Sequence, residues 1–247
     1  MTLTLGSLFS GIGGLELGME WTGHFTTRWQ VENDPYATRV LQKHWPEATR
    51  YGDITGIDWS AVEPVDLICG GFPCQPVSLA GHKLAQQDPR WLWPHFARAV
   101  RVLRPRYVLV ENTPGLLSRG MGDVLRDLAS LGYDAEWQSI SAASAGAPHI
   151  RERVFVVAYT SGVRPSSYGE VFRRIPVENG FWAKSTRLRE SHGHLWPIPT
   201  PEFLRMADGP PSELDAGRFR SSGNAVVPQV AQWIGEQIWR FHQEVSG

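Results

Sequence analysis

The chain has 247 residues, enough for one sizeable core with a smaller appended lobe. Hydrophobic residues make up 42% and charged residues 20%, an ordinary globular composition that excludes extended disorder. The net charge of −1 excludes a basic coat over the whole surface, but residues 151–195 carry 8 Lys and Arg against 4 Asp and Glu, a segment suited either to phosphate or simply to solvent.

The apolar stretch Leu3–Met19 is broken by Gly11, Gly13 and Gly14 and has no Lys or Arg before it, so neither a signal peptide nor a membrane span is expected. Strands are predicted at Leu3–Phe9, Thr26–Val31, Val65–Cys69, Tyr107–Glu111, Asp134–Ser141 and Val154–Tyr159. Helical patterns lie between them at Gly14–Glu20, Tyr36–His44, His95–Leu103 and Gly122–Leu131. This alternation predicts an α/β fold, a mostly parallel sheet with helices on both faces. From Thr160 to Gly217 the pattern breaks into Pro, Gly, Ser and Arg with scattered aromatics, which reads as an irregular lobe. Over Val230–Val245 the apolar residues Val230, Trp233, Ile234, Ile238 and Phe241 recur at helical spacing with one buried face.

Cys69 and Cys74 stand five residues apart in one strand-to-loop segment, which excludes a long-loop disulfide and zinc-ligand spacing. No metal and a reducing, cytoplasmic setting are expected.

The loop Leu8-Phe9-Ser10-Gly11-Ile12-Gly13-Gly14-Leu15 follows a predicted strand and opens a predicted helix, so its glycines allow a tight turn against a nucleotide-like cofactor. Such a turn also arises for packing alone, and no Gly stands three residues beyond Gly13 as the dinucleotide fingerprint requires. Glu32 ends the second strand, where a carboxylate can accept from both ribose hydroxyls, and Asp53 follows a turn from which it could accept from an adenine amine. Glycine loop and carboxylates in this order make an adenosine site.

Gly70-Gly71-Phe72-Pro73-Cys74-Gln75-Pro76-Val77-Ser78 follows the third predicted strand directly. Glycines and prolines around Cys74 make a stiff loop that offers one thiol at the carboxyl edge of the sheet, where ligands bind in open α/β folds. Cys69, inside the strand, reads as a small buried hydrophobe.

Phe9-Ser10-Gly11-Ile12-Gly13-Gly14, Pro73-Cys74-Gln75, Glu111-Asn112, Arg151-Glu152-Arg153 and Gly223-Asn224-Ala225-Val226 resemble, in order, the motif set of the cytosine-5 DNA methyltransferases. Residues 3–159 and 217–235 carry the resemblance, and Trp93-Pro94-His95-Phe96-Ala97-Arg98 and Val108-Leu109-Val110-Glu111-Asn112 look most like short phage and prophage members. Thr113 stands where the family usually has Val, and His149 where Gln commonly opens the arginine motif.

The resemblance implies the S-adenosylmethionine-dependent methyltransferase form of the fold, with a reduced target-recognition lobe. Residues 1–159 would be the catalytic and cofactor domain, 160–216 the recognition region, and 217–247 a segment returning beside the first strand. Cys74 would add to C6 of cytosine, Glu111 would hold a proton for N3, Arg153 would grip O2, and Arg151 would support the loop or phosphate. Phe9, Gly11, Ile12, Gly13, Gly14, Glu32, Asp53, Ile54, Pro73, Asn224 and Val226 would hold S-adenosylmethionine and its product S-adenosylhomocysteine, Phe9 by stacking on adenine.

Double-stranded DNA is the implied partner, with the target base swung out of the duplex. Gln75, Ser78 and Arg90 in the loop after Cys74, and Arg173, Arg174, Lys184 and Arg187 in the lobe, are the expected DNA contacts, with Tyr168, Phe172, Phe181 and Trp182 interleaved. So short a lobe implies a short or relaxed recognition site. A monomer is expected, and a cognate restriction endonuclease is a further partner in some systems of this kind. Two alternatives stay open: a tRNA cytosine-5 methyltransferase and a catalytically silent DNA-binding homologue. A dehydrogenase reading of the glycine loop leaves Pro73-Cys74-Gln75 unexplained.

Overall fold

The computed structural model describes residues 2–73, 91–145, 151–161, 171–172 and 225–246. Its seven strands are β1 (Leu3–Leu8), β2 (Phe25–Val31), β3 (Thr49–Tyr51), β4 (Leu67–Gly70), β5 (Tyr107–Asn112), β6 (Tyr133–Ser141) and β7 (Glu152–Thr160). The described α-helices are α1 (Gly14–Trp21), α2 (Pro35–His44), α3 (Trp93–Leu103), α4 (Leu116–Arg119), α5 (Met121–Ser130) and α6 (Pro228–Ser246).

One sheet contains all seven strands in the order β3-β2-β1-β4-β5-β7-β6. The pairs from β3 to β5 are parallel, whereas β7 runs antiparallel to both β5 and β6. β4 and β5 are buried along their whole length, as central strands covered on both faces must be. On one face α3 and α5 cover Ile68, Val108, Val110 and Val156. On the other, α1 and α6 cover Leu5, Leu67, Leu109 and Val157. Gly6 of β1 faces the Trp29 ring, which a Cβ there would meet at 2.1 Å, so the glycine lets the buried indole lie on the strand.

The predicted elements are all present, with ends moved by one or two residues. β1 stops at Leu8 because Phe9 turns to φ 55°, a left-handed conformation that ends a strand. Edge strand β3 and the short α4 were not predicted. The returning segment packs on α1 and shares the core face that holds Leu3 and Leu5 of β1: a Cβ on Gly14 would lie 2.4 Å from the Val226 carbonyl oxygen, and one on Gly18 2.1 Å from that of Pro228. Within the expected recognition region, Val171 and Phe172 are buried in the core, where Phe172 stacks on Trp233 of α6 with ring centroids 6.1 Å apart. Phe172 is therefore a core residue and not one of the aromatics open to a base. Among the described residues no helix is long and apolar enough to cross a membrane.

Candidate active site

The strand order reverses between β1 and β4, and the crevice outside the carboxyl ends of such strands is where open α/β sheets bind ligands. Register determines what meets there. Leu8 pairs with Val31 on one side and with Gly70 on the other, and Gly70 pairs with Val110. The next residues, Glu32, Phe9 and Gly71 just past their strands and Glu111 near the end of β5, therefore form one row at the carboxyl edge of the sheet. On antiparallel β7, Val154 pairs with Asn112, which brings Arg153 to the same edge.

Glu111 is 8% exposed, and its Oε1 lies 3.0 Å from the Arg153 Nε. Burial pushes its carboxyl up to about 7, while Arg153 and then Arg151 pull in the opposite direction. A Cβ on Gly71 would lie 2.5 Å from Glu111 Oε2, so a side chain there would displace the carboxylate. Asn112, 1% exposed, donates through Nδ2 to the Phe72 carbonyl at 3.0 Å and accepts from the Thr113 amide at 2.8 Å. This ties the end of β5 to the segment leading into the loop after β4. Phe72 is further held by Trp91, edge-on at 5.2 Å, and by Trp93 at 5.7 Å.

Pro73 is the last described residue before Cys74, which itself lies outside the described residues, as do Gln75, Ser78, Arg90, Arg173, Arg174, Lys184, Arg187 and Asn224. Cys69 is fully buried and free, and burial first and Glu16 second raise its thiol well above the usual range. Such a thiol stays protonated and unreactive at neutral pH.

The glycine loop after β1 has three left-handed residues, Phe9 (φ 55°), Gly11 (φ 56°) and Gly13 (φ 88°). Gly11 faces open space, with nothing within 4 Å of where a Cβ would stand, and its amide donates to Glu32 Oε2 at 2.7 Å. Glu32 Oε1 accepts from the Asp34 amide at 2.8 Å, which orients the carboxylate and leaves each oxygen a second lone pair for a hydroxyl. Phe9 and Ile12 are half-buried at the rim and Ile54 is in the core. Gly14, by contrast, lies under the Val226 backbone, so it admits the returning segment. Val226 packs against the core cluster beneath α6. Exposed Asp53 caps the turn Ile54–Gly56, accepting from the Thr55 amide at 2.9 Å and its hydroxyl at 2.8 Å, bonds that lower its pKa. An uncrowded glycine edge, a ribose-height carboxylate and a rim aromatic fit an adenosine-bearing group.

Two positions that shape this site escaped the sequence reading. Gly71 was legible only as loop punctuation, and Asn112 only as the neighbour of Glu111; strand register gives both their use.

Residues 3–194 match the family model for C-5 cytosine-specific DNA methylases. The chain belongs to this family. It is 35% identical over 164 residues to the Type II methyltransferase M.NgoBI of Neisseria gonorrhoeae, covering 63% of this chain and 50% of that protein. With M.Eco47II of Escherichia coli the identity is 33% over 218 residues, 82% of this chain and 52% of the relative. The chain thus spans about half the length of these two relatives. A crystal structure of a DNA modification methyltransferase encoded within an Escherichia coli prophage superposes with a TM-score of 0.66 at 20% identity, covering 98% of this chain and all of that one. Entamoeba histolytica EhMeth superposes at 0.63 and 16% identity, with 98% of each chain covered. At these identities the likeness is one of fold.

Proposed function

We propose that this chain methylates C5 of cytosine in double-stranded DNA, using S-adenosylmethionine and Cys74 as nucleophile. The observation that carries the reading is Glu111: buried, ion-paired to Arg153 and pushed up to about 7, beside the Gly71–Pro73 segment that leads into Cys74. A carboxyl group poised near neutrality can give a proton to a ring nitrogen and take it back.

Cytosine C5 is a weak nucleophile, and adding the Cys74 thiolate to C6 moves electron density onto it. Glu111 protonates or hydrogen-bonds N3 as that density builds, so that no bare anion forms in a dry site. Arg153, ion-paired to the carboxylate, grips O2, and Arg151 braces the same edge. S-adenosylmethionine supplies the electrophilic methyl group. After transfer the C5 proton passes to water, the electron pair it leaves expels the Cys74 thiolate, and Glu111 takes back the N3 proton, which restores the aromatic ring. On the cofactor side Gly11 leaves the backbone open, Glu32 accepts from the ribose, Asp53 takes the adenine amine, and Phe9 stacks on the base. Ile12, Gly13, Ile54, Pro73, Asn224 and Val226 complete the lining, with Gly14 shaping it from behind.

We assign residues 1–159 to catalysis and cofactor binding, 160–216 to target recognition and 217–247 to closure of the cofactor domain. Gln75, Ser78, Arg90, Arg173, Arg174, Lys184 and Arg187 are the proposed DNA contacts, with a monomer as the working unit and a restriction endonuclease as a companion where the system has one. Action on DNA goes with a cytoplasmic setting.

Transfer of labelled methyl groups from S-adenosylmethionine to duplex DNA tests the reading. Label on tRNA and none on DNA overturns it in favour of the RNA alternative. Cys74→Ala is expected to lose turnover to background while binding S-adenosylhomocysteine within about twofold of the parent, since only the nucleophile is removed. A silent homologue would form no covalent adduct with 5-fluorocytosine DNA. Bisulfite mapping of the products is expected to show a site shorter than about six base pairs, each specified pair requiring its own contacts from the lobe.

A further inference from the structure

Beneath the glycine loop lies a group of buried polar side chains that the proposed reaction does not use. Ser7 of β1, Glu16 of α1 and Gln30 of β2 are all 0% exposed, and Ser10 of the loop is 9% exposed. Gln30 Nε2 donates to Glu16 Oε1 at 3.2 Å. The Ser10 hydroxyl donates to Ser7 Oγ at 3.0 Å; burial raises the pKa of the Glu16 carboxyl, and a backbone hydrogen bond and then the neighbouring Ser7, Ser10 and Gln30 side chains act in the lowering direction. The position is opposite to what side-chain polarity predicts: the next residue on α1, Leu17, is 37% exposed.

A buried carboxyl group costs stability wherever an apolar residue would fill the same space. Its use is directional. Here Oε1 joins α1 to β2 through Gln30, beside the Ser7–Ser10 pair at the end of β1, where the backbone turns into the loop. That turn needs support. Phe9 holds φ 55° without being glycine, a strained conformation that persists only where its surroundings over-determine it. Ser10, the next residue, provides the restraint: its amide donates to the Val31 carbonyl at 3.1 Å, its carbonyl accepts from Gly13 at 2.9 Å, and its hydroxyl enters the buried group.

We infer that Glu16 is a positioning residue for the methyl-donor site, acting through Ser10 to hold the glycine loop in its left-handed turn. This rests on the proposed role of that loop in binding S-adenosylmethionine.

The test is calorimetric titration of the full chain with S-adenosylhomocysteine, together with steady-state methylation and thermal melting. Glu16→Leu is expected to weaken S-adenosylhomocysteine binding and raise the KM for S-adenosylmethionine about tenfold. Its kcat at saturating donor should stay within about threefold of the parent, and its KM for DNA should not move. Glu16→Gln, which keeps shape and hydrogen bonding, should restore donor affinity to within about twofold. Gln30→Met removes the partner amide without touching Glu16, and is expected to weaken donor binding in the same sense if Glu16→Leu does not fold. A lowered melting temperature with unchanged donor affinity in both Glu16→Leu and Gln30→Met would make the group merely structural and overturn the inference. Glu16→Gln as impaired as Glu16→Leu would overturn it too, since the role would then be that of a charge. A parent protein that binds no S-adenosylhomocysteine would instead remove the reading of the loop, and the inference with it.

Discussion

Two opposing influences act on the carboxyl group of Glu111. Burial raises its pKa to about 7 from an ordinary 4.5, and Arg153, 3.0 Å away, limits the rise. Between those values the folded chain binds more protons at this position than the unfolded chain, so the stability linked to it is fully present below about pH 4.5 and is lost as pH climbs through 7. Holding the group ionised in the fold costs on the order of 3 kcal/mol. Glu111→Gln removes that dependence. The melting temperature of the parent should fall more steeply from pH 5 to pH 8 than that of the variant, and equal slopes would show that Glu111 is not held as described. Turnover should drop by about 10²–10⁴ in the variant, and kcat/KM of the parent should decline above roughly pH 7 as the proton is lost. Glu111 and Arg153 were legible in the sequence because each stands in a recognisable motif. Glu16 was not: an apolar period places Leu17 inside and Glu16 outside, and only the side chains of Ser7 and Gln30, brought over by β1 and β2, reverse that order.

Long elements were readable from periodicity because burial on a sheet face or helix stripe repeats over many residues. β3 was missed because Thr49–Tyr51 is a three-residue edge strand with no fully buried position, so no alternation marks it. The helix pair α1–α6 was readable as two helices but not as a contact, since the small residue that allows it looks like a flaw in a helical pattern. Gly18 is buried, and a Cβ on it would stand 2.1 Å from the Pro228 carbonyl oxygen and 2.6 Å from the Ala231 Cβ. Neither backbone nor Cβ can swing aside, so Gly18→Ala must push α6 outward despite the better helix propensity of alanine. The expected loss is about 1–3 kcal/mol by chemical denaturation. Gly122→Ala on α5 is the matched control, because nothing lies within 4 Å of its Cβ position. It should be neutral or stabilise by up to about 1 kcal/mol. A Gly18→Ala protein as stable as the parent would mean that α6 does not pack where the structure has it.

Across the whole molecule the sheet divides the proposed chemistry by position: most of the proposed cofactor residues follow β1, β2 and β3, and the proposed proton donor and its arginines stand at the end of β5 and the start of β7. Charge divides by sequence, with Lys and Arg outnumbering Asp and Glu two to one in residues 151–195 of a chain whose net charge is −1. That basic segment starts at the arginines of the candidate site and is fastened to the core again at Val171 and Phe172, the latter against Trp233. Arg173 and Arg174 follow this anchor directly in sequence. If Arg173, Arg174, Lys184 and Arg187 each neutralise one phosphate, replacing all four by Ala should flatten the plot of log Kobs against log salt by about 0.9 per contact, roughly 3–4 in total. S-adenosylhomocysteine affinity should not change, because none of the four is among the proposed cofactor residues. Weakening that is uniform across DNA sequences would assign the four residues to the backbone, whereas loss confined to one sequence would make them base readers. An unchanged salt slope would remove them from the DNA interface and leave the basic segment as a solvated surface.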